Sequence, residues 1–198
     1  MDPLEQAKHS LESHGFTVRN FSSGTEAAAY LEQELCGTTI GIGGSATIEA
    51  CGLWERLQHS NTVYWHWRQP PDDARRSAMN TQVYLTSVNA LAQTGELVSI
   101  DGIGNRTSSM LFGHQKLYYL IGRNKIVPTL DDAIWRARNV AAPRRAQQQG
   151  RRTPCAHAGD RCYNCRSPER ICRGMVILWE PMPDTQTTVL LIDEALGL

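Results

Sequence analysis

Thr38-Thr39-Ile40-Gly41-Ile42-Gly43-Gly44-Ser45-Ala46-Thr47 decides the fold class. The first five residues are a short β-rich run, and from Ala46 to about Gln58 the pattern is helical. Glycines between a strand and a helix let the backbone turn tightly. On the C-terminal side the order repeats. Thr62–Trp67 is strand-like, Pro71 to about Thr81 is a polar helix with proline at its start, and Val83–Thr86 is another strand. On the N-terminal side, residues 3–14 read as a helix ending at Gly15, and Phe16–Val18 as a strand. Ser22–Thr25 caps a helix running to about Leu35. Repeated strand-then-helix order predicts an α/β domain with a mainly parallel sheet.

Beyond this frame, Gly95–Gly102 reads as turn, strand and turn, Lys116–Ile121 as an apolar strand, and Pro128–Val140 as a helix. Residues from Pro143 to Thr153 are rich in Arg and Gln and read as a linker or exposed arm. Met175–Trp179 and Thr187–Ile192 are expected to form a terminal hairpin on the main sheet. The predicted organisation is therefore an α/β domain over 1–142 and 174–198, interrupted by an Arg-rich, cysteine-bearing insertion at 143–173.

The chain has 198 residues, 41% hydrophobic and 20% charged, enough for one domain with a core plus a small module. Its formal charge is zero, so global charge names no partner. The distribution is uneven: Arg136–Arg173 holds ten arginines against two acids, Asp160 and Glu169. Such asymmetry marks an interaction surface or an anionic ligand. The segment has few aromatics to stack on bases, which ranks nucleic acid last among partners. No apolar run reaches the ~18 residues of a membrane span, and the first residues lack a secretion signal. A cytoplasmic location is the default expectation, where six cysteines seldom mean disulfides. Cys36 and Cys51 sit in apolar stretches and are expected to be buried thiols.

The other four cysteines follow the pattern Cys155-x6-Cys162-x2-Cys165-x6-Cys172. A Cys-x-x-Cys turn brings two thiolates onto one ion, and two outlying cysteines complete four ligands. Pro154, Gly159, Asp160, Asn164, Ser167 and Pro168 favour turns. Only Tyr163 and Ile171 are large and apolar, so a metal would supply the missing folding energy. Zinc and a [4Fe–4S] cluster both accept four thiolates, and the spacing leaves the two open. Arg161, Arg166, Arg170 and Arg173 would offset the negative charge of either centre.

Two further clusters are candidate ligand contacts. After the Thr38–Ile42 strand, Gly43 and Gly44 permit close approach of an anion to the backbone, and Ser45 and Thr47 add hydroxyls at a helix start. The other reading is a tight turn with Ser45 as helix cap. After later strands come Asn89 and the run Asp101-Gly102-Ile103-Gly104-Asn105-Arg106, where Arg106 could clamp a carboxylate or phosphate. The other reading is a glycine-rich turn with Asp101 and Asn105 bonding backbone. Lys125 is another candidate anion contact. Glu49 either meets a ligand or complements the helix dipole. His66, between two tryptophans, reads as structural. No Ser-His-Asp or Cys-His set is evident.

These stretches carry a resemblance. Gly41–Thr47, Asn89–Arg106, Asn124–Pro128, Asn139–Pro143, Thr153–Cys155 with the cysteine knuckle, and Leu191–Gly197 resemble the LUD-domain family, the lactate-utilisation proteins. The resemblance implies a layered α/β sheet like that of ribose-5-phosphate isomerase and the CoA-transferases. It implies a shared cleft for the glycine loop and the Asp101–Arg106 turn, and tilts the metal toward [4Fe–4S]. The function it implies is an iron–sulfur accessory protein of lactate or related organic-acid oxidation. Such a protein would pass electrons or assemble with partner oxidoreductase subunits, with a homo-oligomer also open. The alternative is an enzyme on a phosphorylated or CoA-linked small molecule, with a structural zinc.

Overall fold

A computed structural model describes residues 2–198. In chain order, helix α1 (Pro3–Ser13) leads into β1 (Thr17–Phe21), α2 (Gly24–Glu34) into β2 (Thr39–Ile42), and α3 (Ala46–Ala50) with α4 (Leu53–Leu57) into β3 (Thr62–Trp65). Helix α5 (Pro71–Ala78) precedes β4 (Val83–Thr86), followed by β5 (Ala90–Ala92), β6 (Leu97–Asp101) and α6 (Asn105–Leu111). Then come β7 (Lys116–Gly122), β8 (Ile126–Val127), α7 (Leu130–Arg136), α8 (Ala142–Gln148), α9 (Pro154–Ala158), β9 (Gly174–Leu178) and β10 (Gln186–Ile192).

The main sheet is six-stranded in the order β1-β10-β7-β4-β2-β3, and every pairing in it is parallel. A second, mixed sheet runs β8-β5-β6-β9. Alternate residues of each central strand face opposite layers, as the period of two requires. Tyr118 and Leu120 of β7, with Leu190 and Ile192 of β10, pack under Leu31, Leu53 and Leu57 of the helices. Leu117, Tyr119, Ile121, Val189 and Leu191 face the other way, onto Leu4 and Leu11 of α1 and onto Leu91, Leu97 and Leu178 of the second sheet. The far face of that sheet is closed by Ala133 and Ala137 against Ala90 and Val98. The result is a mixed α/β architecture layered around a predominantly parallel sheet. Among the described residues no helix is long and apolar enough to cross a membrane.

Local chemistry explains the boundaries. Ser23 caps α2 by accepting from Glu26 N, and Thr129 and Asp132 form a reciprocal capping box on α7. Gly52 at φ +64° splits the helix expected over 46–58 into α3 and α4.

Four expectations are corrected. The terminal hairpin does not form: β9 pairs antiparallel with β6 in the second sheet, whereas β10 lies in the main sheet between β1 and β7. The exposed arm begins instead as helix α8, whose Ala142, Pro143 and Ala146 are buried; the proline sits in the first turn, where its missing N–H costs nothing. Cys36 is exposed, because it follows the end of α2; Cys51 is buried as expected. The helix expected over 128–140 gives way after Arg136 to a π-helical turn, Ala137–Ala141, that joins α7 to α8.

Candidate functional site

Parallel sheets leave a crevice beyond the carboxyl ends of their strands. Here a cleft of about 580 Å³ opens there. Gly44 and Ser45 reach it from the end of β2, His66 and Trp67 from β3, and Ser87 and Asn89 from β4; Lys125 follows β7. The second sheet contributes Asp101 and the start of α6. Thus Gly44, Ser45, Asn89, Asp101, Asn105, Arg106 and Lys125, candidate contacts drawn from separate stretches of sequence, line one cleft. Gly43 and Thr47 stand behind its wall: a Cβ on Gly43 would lie 3.1 Å from Arg106 Cγ, and Thr47 Oγ1 accepts from Lys125 Nζ at 2.8 Å.

Most of these groups also hold one another in place. Ser45 is a buried helix cap, accepting from Ile48 N at 3.2 Å. Asp101 accepts from Gly102 N and Ile103 N through one oxygen and from Arg106 N and Thr107 N through the other. It thereby caps α6. Burial raises its pKa, but the Arg106 charge and these N–H groups outweigh it, and the carboxyl ends below its ordinary range. Arg106 spends its terminal nitrogens on Ser87 O (3.1 Å), Asn89 Oδ1 (2.9 Å) and Ile100 O (2.8 Å). The expected clamp is therefore also the tie that joins β4 to β6. Burial lowers the Arg106 pKa, with Asp101 opposing.

Lys125 is 4% exposed, and its Nζ meets Thr47 Oγ1, Ser87 Oγ (2.9 Å) and Val88 O (3.1 Å). Burial first, then Arg136 and Arg106, press its pKa down to about 7. His66, contrary to a purely structural reading, lines the cleft. Burial and the nearby Arg75 lower its pKa to about 4, so it is neutral at pH 7. Glu49 lies outside the lining and pairs with Arg68 at 3.2 Å.

Sequence reasoning missed three contributors. Arg136 is buried, donating to Asn124 O and Asn89 O, and burial lowers its pKa to about 10. Arg145 stacks over Trp67 at 4.3 Å. Arg75 lines the cleft near them. The stretch holding Arg145 reads as linker, and nothing in a helix periodicity marks Arg136 as inward-facing. The signal that existed was the local excess of arginine.

Neither Gly43 nor Gly44 has a positive φ; at Gly44 the constraint is room. A Cβ there would stand 3.2 Å from Trp67 Nε1 and 3.3 Å from His66 Nε2. Gly44→Val is expected to fill the cleft floor at a folding cost of about 1–3 kcal/mol. Calorimetric titration should show anion affinity falling at least about tenfold while thermal unfolding stays cooperative.

The cysteine segment forms part of the cleft wall. Pro168–Ile171 and Arg173 line the cleft. The backbone at Ile171 would be 2.9 Å from a Cβ on Gly102, and Arg173 N donates to Asp101 O. Cys155, Cys162, Cys165 and Cys172 are free and half-buried. Among the described residues no three His, Cys, Asp or Glu side chains are gathered to hold a metal ion. The donor set is nevertheless of the kind a thiophilic metal takes. Asn164, at φ +49°, turns its N–H onto Cys162 Sγ at 3.3 Å. Arg170 donates to the carbonyls of Cys165 and Cys172 and approaches Cys172 Sγ at 3.5 Å. Its Nε is buried without a partner. The π-helical turn adds Asn139, which accepts from Cys162 N. Peptide N–H and guanidinium donors around sulfur are what bound thiolates use as their outer shell.

A structure of a DUF162 family protein from Deinococcus radiodurans is similar to this chain, with a TM-score of 0.58, 14% identity and 96% of each chain covered. At that identity the likeness speaks for the fold alone. No curated protein matches. The LUD domain family model, however, matches residues 4–192, which takes in both sheets, the cleft and the cysteine segment. The chain belongs to the LUD domain family.

Proposed function

We propose that this chain is an iron–sulfur accessory protein of lactate or related organic-acid oxidation. In this reading a small organic anion occupies the cleft, contacted by Gly44, Ser45, Asn89, Asp101, Asn105, Arg106 and Lys125, with Gly43 and Thr47 supporting them from behind the wall. Cys155, Cys162, Cys165 and Cys172 hold a [4Fe–4S] cluster in the 143–173 insertion. The cluster supplies one-electron chemistry when bound; the chain's residues bind and orient the anion. The protein works in the cytoplasm, alone or as a homo-oligomer, on a scaffold of the ribose-5-phosphate isomerase and CoA-transferase kind. It passes electrons to partner iron–sulfur or oxidoreductase subunits or assembles with them.

The observation that carries the reading is adjacency. The segment bearing the cysteines walls the same cleft that Arg75, Arg106, Lys125, Arg145 and Arg151 line. The test is metal and sulfide analysis with a visible spectrum on anaerobically purified protein, followed by calorimetric titration of hydroxy acids. Iron, sulfide and broad visible absorbance with hydroxy-acid binding support the proposal. A colourless protein with one zinc overturns the cluster.

One observation favours a second reading. Arg75, Arg145, Arg151 and Arg173 add more positive charge around the cleft than a monocarboxylate requires. An enzyme on a phosphorylated or CoA-linked small molecule, with zinc on the four cysteines, would use them. Titration with phosphate esters and CoA compounds separates the two.

A further inference from the structure

The basic residues of this chain are seventeen arginines and three lysines, Lys8, Lys116 and Lys125. The cleft follows that bias, with six arginines in its lining, but the cation deepest in it is Lys125. Arginine remains charged in proteins, whereas a buried lysine can give up its proton and expose a nitrogen lone pair. A chain with three lysines among twenty basic residues has placed one of them at this point.

The hydrogen bonds around Nζ suit a neutral amine. Thr47 directs its hydroxyl proton to Leu196 O, so its oxygen accepts from Nζ. Val88 O can only accept. Ser87 Oγ has no other recorded partner and is free to donate to the nitrogen lone pair. Two N–H groups and one lone pair are then all satisfied. No described carboxylate pairs with Nζ. The charged or titratable groups that face it are Arg106, Arg136 and the Cys51 thiol, and the two guanidinium groups oppose a third positive charge.

We propose that Lys125 is a nucleophile that forms a reversible imine with the carbonyl carbon of a 2-oxo acid held in the cleft. This rests on the reading that the cleft takes an organic anion, and it names the class. The neutral nitrogen attacks the carbonyl carbon and forms the C–N bond. The carbonyl oxygen takes up a proton, giving a carbinolamine. Loss of that oxygen as water, with both amine protons gone from nitrogen, leaves the C=N bond. Nothing is oxidised or reduced. Ser87 Oγ, 2.9 Å from Nζ, is placed to carry the proton between nitrogen and oxygen. The carboxylate of the ligand lies among the arginines that line the same cleft.

The test uses the full chain, pyruvate as probe and cyanoborohydride to reduce any imine, read by intact mass and peptide mapping. Calorimetry with pyruvate is run beside it. The expected result is one adduct per chain, on Lys125. It should form at least about a hundredfold faster at pH 7 than adducts on Lys8 or Lys116. The rate should fall as pH drops below about 7. Mapping on the wild-type chain decides the site even where Lys125→Arg does not fold. Equal labelling of all three lysines overturns the proposal. Calorimetric binding without an adduct also overturns it and leaves the anion cleft standing; absence of both binding and adduct overturns the two together.

Discussion

Arg106→Ala is expected to cost about 2–4 kcal/mol of stability and at least about tenfold in anion affinity. Its terminal nitrogens satisfy Ser87 O, Asn89 Oδ1 and Ile100 O. Leaving such acceptors without donors costs about 1–3 kcal/mol each, moderated here because water can enter from the cleft. For a chain of this size the melting temperature should fall by roughly 4–16 °C. Affinity falls because a charged donor in the lining is lost and because Asn89 loses the guanidinium that holds its side chain. The variant also changes the response to acid. Asp101 has a lowered pKa in the folded chain, so it contributes stability above its unfolded value, near 3.9, that is lost as pH falls through the folded value. Without Arg106 the folded value rises, the contribution shrinks, and acid unfolding begins at higher pH. Urea titrations at pH 7 and about pH 3 measure the stability and its acid response, thermal unfolding the melting temperature, and calorimetric titration the affinity. A folded variant with unchanged anion affinity would show that Arg106 ties strands together and does nothing else.

Cys162→Ser with Cys165→Ser is expected to abolish bound metal altogether. The two residues supply half of the proposed ligands from one turn, and serine at ordinary pH does not replace a thiolate toward a thiophilic metal. The Asn164 N–H that now points at Cys162 Sγ would also lose its sulfur acceptor. Cys36→Ser should leave the metal content unchanged, because that thiol is remote in sequence and exposed. Elemental analysis of the anaerobically purified variants gives the answer. Stoichiometric metal in the double variant would refute the four-cysteine centre.

The parallel sheet was legible because β2, β4 and β7 are apolar runs punctuated by glycine, proline and helix caps. The three-residue β5 and two-residue β8 were not, since their extended conformation is set by pairing rather than by side-chain pattern. Residues 175–179 and 187–192 both read as strands, but a period of two does not say which sheet a strand joins. Their burial differs: Met175 and Trp179 are exposed, while Val189–Ile192 is wholly buried. Pro143–Thr153 reads as a linker from its Arg- and Gln-rich composition, yet Pro143 lies in the first turn of a helix. In the site, Gly44, Arg106 and Lys125 could be found because each follows a strand. Arg136 and Arg145 could not, because Arg136 is buried against the carbonyls of Asn124 and Asn89 and Arg145 lies in a stretch that reads as linker.

The placement of β10 bears on how the chain folds as it is made. In the main sheet β1 pairs only with β10, and β10 in turn bridges β1 to β7. Thr17 of β1 meets Thr188, some 170 residues later. Strands β7, β4, β2 and β3 can associate while synthesis continues, but β1 has no partner strand until residue 186 and those after it have left the ribosome. Closing so long a loop slows folding, and until then β1 and β7 both offer open strand edges to other chains. A chaperone that shields those edges should therefore raise soluble yield.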